Sequence, residues 1–403
     1  MIRAAAGQHS LRQQNLATVT EAIYSARIPL SRAGVADRTG LTKATVSALV
    51  SALVSASIVA ELPLPPTRGL GRPGVPLGPC PRSLVGLGME INADYYGALV
   101  IDLAGDIVSD RIVTADLRSS NPRLVLRDVA ALARELIAAV TEQEMHVVGA
   151  RLAVPGLVRV ATGRLEVAPN LGWRAVDMLP LLDLEGLDVA VWNEAKLAGL
   201  AQTMGPAVGF DGTPTSLNTF VYVSGGVGIG SAIVLDGALY QGLHGWNGEI
   251  GHVTIHPRGP SCRCGNRGCL EQYAGEEAIL VAAGLPLRSP MSAVAVAARK
   301  GNRAARAAVD RAGDALGRAL SDYLNLVDID TVVLGGIYAE LFDLIEHLVG
   351  AHVSEGVLSA QLAPISLLAA PQRQYPAMTG GARAVLKAVL ADPAGSMPGQ
   401  RHT

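Results

Sequence analysis

The chain has 403 residues, 49% of them apolar and 17% charged, with a formal net charge of −2. That length and apolar content exclude a disordered chain or a minimal disulfide scaffold and leave room for two or three packed domains. No apolar run approaches the roughly 18 residues of a membrane span, and no charged-then-apolar leader opens the chain, so a cytoplasmic protein is expected.

The small net charge hides an asymmetry. Residues 1–80 carry eight basic groups, Arg68 and Arg72 among them, against Glu21, Asp37 and Glu61, which gives +5 and leaves −7 for the rest. A basic segment on an acidic body is the footprint of a nucleic-acid reader, although an exposed helical face gives the same signal. The pattern is more specific than the charge. Leu11 to Ala26 places Leu16, Val19, Ile23 and Tyr24 at helical spacing, and Ile28-Pro29 ends it. Ser31 caps a short helix to Arg38, Thr39-Gly40-Leu41 turns the chain, and Thr42 caps a third helix with Val46, Leu49, Val50 and Leu53 as its buried stripe. This is helix-turn-helix spacing. Thr42, Lys43, Ala44, Thr45 and Ser47 open the third helix and are small or polar enough to approach base edges and phosphates in a major groove. Ile58 to Leu62 is a strand, and the Pro/Gly-rich residues 63–77 after it carry only Arg68 and Arg72 as charges. That loop reads as a wing entering a minor groove; an interdomain linker has the same composition.

From Leu84 the pattern turns to strands, residues 83–91, 95–103 and 106–115, followed by a helix from Pro122 to Glu142 and a strand over 146–154 that ends at Pro155-Gly156. The glycine run Ser224 to Gly230 serves a tight hairpin first and a phosphate cradle only second. Ala304 to Leu326 is a helix with Ala308, Ala312, Leu316 and Leu320 along one face, Thr331 to Gly335 a buried strand, and Arg383 to Leu390 a closing helix. Residues 393–403 read as a disordered tail.

Between Gly245 and Ala274 the chain gathers His252, Cys262, Cys264 and Cys269 with Glu249 and Glu271. One imidazole and three thiolates suit a tetrahedral zinc ion, and four protein ligands leave no open position, so the zinc is expected to be structural. Gly265 and Gly268 permit tight turns between the thiolates. Buried free thiols, or one disulfide with a spare, are the alternative. His256, beside Pro257, is assigned to the loop.

The run GEIGH followed by C-x-C-G-x-x-G-C-x-E resembles the signature of the ROK family of sugar kinases and repressors. The resemblance implies an α/β protein: an N-terminal winged helix-turn-helix (1–80) followed by a two-lobed actin-like body. The first lobe is then 82–197 with 378–403, and the second 198–377 with the zinc motif. It implies that Glu249, His252 and Glu271 lie at the sugar, with His252 shared between sugar and zinc. Asn170, in a loop similar to the family's sugar-covering loop, then joins Gly156, Asn193 and Glu194 in the sugar site. Glu194 stands where the kinases have the aspartate that deprotonates the attacking hydroxyl; its extra methylene harms a general base more than a binding group.

The chain departs from the kinases at their D-x-G-G-T hairpin, which here reads Glu90-Ile91-Asn92-Ala93-Asp94. Both glycines have gained side chains, and two carboxylates, Glu90 and Asp94, are expected to face a polyphosphate, so ATP should bind poorly or not at all. Leu334-Gly335-Gly336 and Thr379-Gly380-Gly381 resemble the nucleotide-side turns of the fold. The expectation is a non-enzymatic, sugar-responsive repressor that binds an inverted-repeat operator as a homodimer or dimer of dimers. The alternatives are an active sugar kinase with a fused DNA-binding arm and a regulator answering to a protein partner.

Overall fold

A computed structural model describes residues 2–64, 74–203, 217–372 and 374–396. The first helix, α1 (Ile2–Tyr24), begins well before the expected Leu11. The short strand β1 (Leu30–Ser31) leads into α2 (Arg32–Thr39), where the Ser31 hydroxyl accepts from Gly34 N and Gly40, at φ 72°, ends the helix. In α3 (Lys43–Ser55) the Thr42 hydroxyl accepts from Thr45 N, and Val46, Leu49, Val50 and Leu53 are buried as the spacing required. Strands β2 (Val59–Glu61) and β3 (Pro76–Pro79) pair antiparallel, and β1 adds to β3. The expected strand is thus the first arm of a small sheet whose second arm the prolines had disguised. Most of the loop between the arms, including Arg68 and Arg72, lies outside the described residues.

Two five-stranded sheets follow, each an antiparallel meander extended by two parallel strands. The first contains β4 (Leu84–Ile91), β5 (Tyr95–Asp102) and β6 (Ile107–Thr114), then α4 (Pro122–Thr141) crossing over to β7 (His146–Val154). A side hairpin sheet of β8 (Leu157–Arg159), β9 (Arg164–Ala168) and β10 (Trp173–Asp177) and a one-turn α5 (Leu179–Leu182) precede the last strand, β11 (Val189–Asn193). Helix α6 (Glu194–Gln202) leads to the second sheet, of β12 (Phe220–Gly225), β13 (Ile229–Leu235) and β14 (Ala238–Tyr240). After the cysteine loop come α7 (Glu271–Ala274), α8 (Glu276–Ala282), α9 (Met291–Arg299) and α10 (Arg303–Val327). Strand β15 (Thr331–Gly336), α11 (Ile337–Glu340), α12 (Phe342–Gly356) and β16 (Ser366–Ala369) complete that half. In α10 the apolar stripe packs with α12 over the second sheet, in one core with Val221, Val223, Val332 and Leu334.

The closing helix, α13 (Pro376–Ala391), returns to the first sheet and starts seven residues before the expected Arg383. Thr379-Gly380-Gly381 therefore sits inside a buried helix and is not a turn. A Cβ at Gly380 would lie 1.8 Å from Leu197 O, so glycine there is what lets α13 and α6 touch backbone to backbone. On its other side Met378, Ala382, Leu386 and Val389 join Leu99, Ile101 and Leu103 in one core with Leu16, Val19 and Ile23 of α1 and the buried stripe of α3. Of the expected tail, Ala394–Ser396 forms a single tight turn and residues 397–403 lie outside the described residues. Among the described residues no helix is long and apolar enough to cross a membrane.

Candidate functional site

A cavity of about 200 Å3 opens between the two sheets. Its walls come from the β4–β5 hairpin, the start of α6, the β12–β13 turn and the start of α13, with Asn170, Glu194, Gly336 and Ala377 among the lining residues. The glycine run is the hairpin turn expected of it: Gly225 pairs with Ile229 and Gly226 N donates to Gly228 O.

The β4–β5 hairpin closes one side. Asn92 N donates to Tyr95 O at 2.8 Å and Ala93 N to Asn92 Oδ1 at 2.7 Å, so neither amide is left for a phosphate oxygen. Glu90, 3% exposed, accepts the Tyr95 hydroxyl at 2.6 Å. Asn92 Nδ2 donates to Glu194 Oε2 at 3.0 Å. Burial pushes Glu90 up to about 7, against the Tyr95 hydrogen bond, and pushes Glu194 up to about 8, helped by the neighbouring Glu90. Asp94 corrects the expectation of two acids facing a polyphosphate. It is half exposed and paired with Arg118 at 2.7 Å, and Arg118 also reaches Asp116 and, across the cleft, Glu277 at 3.7 Å.

Of the residues expected at a sugar, Asn170 and Glu194 line this cavity. Asn193 is committed locally: Oδ1 caps α6 through Lys196 N and Nδ2 holds Gly156 O at 3.0 Å. Asn193 and Gly156 are thus brought together, tying the end of β11 to the β7–β8 turn. Glu249 is raised by burial and held down by His252 and Lys196. Glu271, 8% exposed, is raised by burial and opposed by its hydrogen bond with Asn170, which ties it to the cavity wall. Lys196, which the sequence reading passed over, is buried with Nζ on Gly245 O and Asn247 Oδ1, and burial lowers it to about 8. Its signal was a lone lysine one turn into a helix that begins with a carboxylate.

His252, Cys262, Cys264 and Cys269 converge, their ligand atoms all within 4.8 Å of one another. A tight turn over Ile250–His252 presents the imidazole. Bridges Thr254↔Cys269 and Ser261↔Arg267 fold the loop so that its thiols face that ring. Cys264 and Cys269 sulfurs are 3.8 Å apart, too far for a disulfide and close to the separation two thiolates have around a tetrahedral ion at about 2.3 Å from each. Burial and the adjacent thiols push Cys269 up to about 12, so a cation is what would ionise this set near neutrality. The donor set therefore fits a metal ion. His256 instead accepts from Arg258 N within the loop.

In the N-terminal segment, Thr42, Lys43, Ala44 and Ser47 are exposed on α3, while Thr45 is half-buried toward α1. Arg32 is occupied with Ser47 O, Ser51 and Glu61, which fixes α2 against α3.

The ROK family model matches residues 86–388. The chain is 31% identical over 253 residues to the xylose repressor of Bacillus subtilis, an alignment covering 62% of this chain and 63% of that protein. The crystal structure of a ROK family transcriptional regulator, a homologue of the E. coli MLC protein, superposes with a TM-score of 0.76 at 24% identity, covering 95% of this chain and 97% of that one. A ROK family glucokinase from Streptomyces griseus, solved with glucose and AMPPNP, gives 0.62 at 22% identity, covering 75% of this chain and 99% of the kinase. The two-sheet body, the cysteine cluster and the family match together identify the chain as a member of the ROK family.

Proposed function

We propose that this protein is a sugar-responsive, DNA-binding transcriptional repressor without kinase activity. The carrying observation is the continuity of α13: it begins at the interlobe cavity with Pro376 and Ala377 and shares a core with the helix-turn-helix segment. A ligand in the cavity and DNA at α3 can therefore bias one element. The likeness to a xylose repressor supports the role. The occupied amides of the β4–β5 hairpin support the loss of ATP chemistry.

In this reading residues 1–80 are the DNA-binding unit, with Thr42, Lys43, Ala44, Thr45, Ser47 and the wing residues Arg68 and Arg72 at the duplex. The two lobes are 82–197 with 378–403, and 198–377. The sugar lies against Gly156, Asn170, Asn193, Glu194, Glu249, His252 and Glu271. The ion is zinc, held by His252, Cys262, Cys264 and Cys269, and stiffens the wall that carries Glu249 and Glu271. A single helix-turn-helix buries little DNA surface, so two copies joined through the body would read an inverted repeat. A ligand shifts this equilibrium only by its differential affinity for the two forms, about 1–3 kcal/mol, or roughly 5- to 150-fold in operator affinity.

Gel-shift titration with and without sugar tests the reading. Glu249→Ala should bind operator like the wild type but lose the sugar response; a variant that still responds would sink the mechanism. Phosphoryl transfer from ATP to any hexose near about 1 per second would refute the non-catalytic assignment.

A further inference from the structure

The interlobe cavity offers hydrogen-bond acceptors that no group among the described residues meets at hydrogen-bonding geometry. Glu90 is 3% exposed and lines the cavity, and its Oε2 is buried with no partner. Asn170 Oδ1, on the same cavity, is also buried and unpartnered. Glu194, on the same cavity, accepts from Asn92 through Oε2. The charged groups acting on these two carboxyls are all acidic, Glu90 and Glu194 themselves and Glu249. Buried carboxyls without a basic partner are costly unless a ligand brings the positive charge.

The missing partner must donate several hydrogen bonds and accept none. A phosphate does the reverse. A neutral hydroxyl donates once and brings no charge. A divalent cation could reach Glu90 Oε2 and Asn170 Oδ1, but these fall short of the roughly six or more oxygens that Mg2+ or Ca2+ collects. An ammonium group donates three times and carries the charge. The volume, about 200 Å3, suits a single small ring.

We propose that this cavity binds a protonated primary amine on a small polyhydroxylated molecule, an aminated sugar, with the ammonium between Glu90 and Glu194. The inference rests on the sugar-sensing reading and names its ligand class. Burial holds Glu194 up to about 8 and Glu90 up to about 7 in the free protein, so entry of an ammonium drives their protons into solvent. The other ionisable groups acting at the cluster are Tyr95 on β5, Tyr222 on β12, Tyr375 before α13, and Glu249, itself under His252 and Lys196. Burial raises Tyr95 and carries Tyr222 up to about 12, so both stay neutral while the carboxyls titrate.

The test is calorimetry on the full-length zinc-loaded protein at about pH 6.5, where the amines enter already protonated and the carboxyls still hold their protons, with D-glucosamine, D-galactosamine and D-mannosamine, against their parent and N-acetylated hexoses. At least one amine should bind about 10-fold or more tightly than both neutral counterparts, a difference of about 1.4 kcal/mol. Its heat should differ between phosphate and HEPES buffers in the sense of proton release. Glu90→Gln and Glu194→Gln, checked for zinc content and melting temperature, should each bring the amine-to-parent ratio to within about 3-fold, or roughly 0.65 kcal/mol. The proposal is overturned if the amines show no preference, if no proton is released, if the preference survives both substitutions, or if millimolar Mg2+ or Ca2+ stabilises the protein more than the amines do. Neutral hexoses that bind equally well would defeat the amine site alone; a protein that binds no sugar of either kind would defeat the sensing reading with it.

Discussion

Replacing Gly380 by alanine isolates the contact between α13 and α6. Helix propensity alone favours the change by about 1 kcal/mol. Against this, the new Cβ would lie 1.8 Å from Leu197 O, 2.6 Å from Leu197 C and 3.2 Å from Ala201 N. All three are backbone atoms, so no side chain can swing aside, and α13 and α6 must part by more than an ångström. Overpacking of this kind costs about 1–3 kcal/mol and occasionally more. Set against the propensity gain, the net loss is about 1 kcal/mol, which would lower the melting temperature by roughly 2–4 °C. Gly350, inside α12, is the control: its Cβ would meet only Leu367 Cδ1 at 3.7 Å, so Gly350→Ala should hold or raise stability by up to about 1 kcal/mol. Thermal melts of both variants, with operator titration of Gly380→Ala, decide the matter. A Gly380→Ala protein as stable as the wild type refutes the backbone-to-backbone packing.

Cys264→Ser should purify with less than one zinc per chain and lose sugar binding together with the metal, read by metal analysis and calorimetry; wild-type protein without zinc ends this idea. Lys43→Ala should weaken operator binding uniformly across sequences and reduce the salt slope by about 1 while sparing sugar affinity; an unchanged slope removes Lys43 from the phosphates. Glu194 and Glu90 are raised in the folded protein, so the fold holds protons that the unfolded chain has released from about pH 4.5 upward, and stability should fall as pH rises from there through about 8. Glu194→Gln should flatten that fall, by up to about 1.4 kcal/mol per pH unit; an unaltered slope in pH-dependent melts would show that Glu194 does not titrate in this window.

The cysteine loop, the helix-turn-helix and most of the strands were legible because each rests on local chemistry: ligand spacing, caps at Ser31 and Thr42, and alternation or continuous apolar runs. What was not legible depends on distant partners. Asp94 is turned from the cavity by Arg118, 24 residues on. Thr379-Gly380-Gly381 looks like a turn until α6 is laid against it. Pro76 to Pro79 forms a strand because β1 and β2 pair with it, not because its residues favour one. Asn193 Nδ2 also holds Gly156 O, 37 residues back, a tie that no local pattern announces.

The core that α1 and α3 share with β5 and α13 limits how the N-terminal segment of this chain can be transplanted. A chimaera that grafts the first 80 residues onto another body would leave Leu99, Ile101, Leu103, Leu386 and Val389 behind, so Leu16, Val19 and Ile23 would face a foreign surface and the graft would lose the far wall of its own core. Ser83, which donates to Ser57 O at 2.8 Å, stitches the seam further. A working transplant would have to carry β5 and the closing helix with the N-terminal helices, so the proposed operator specificity would travel with both ends of the sequence or not at all.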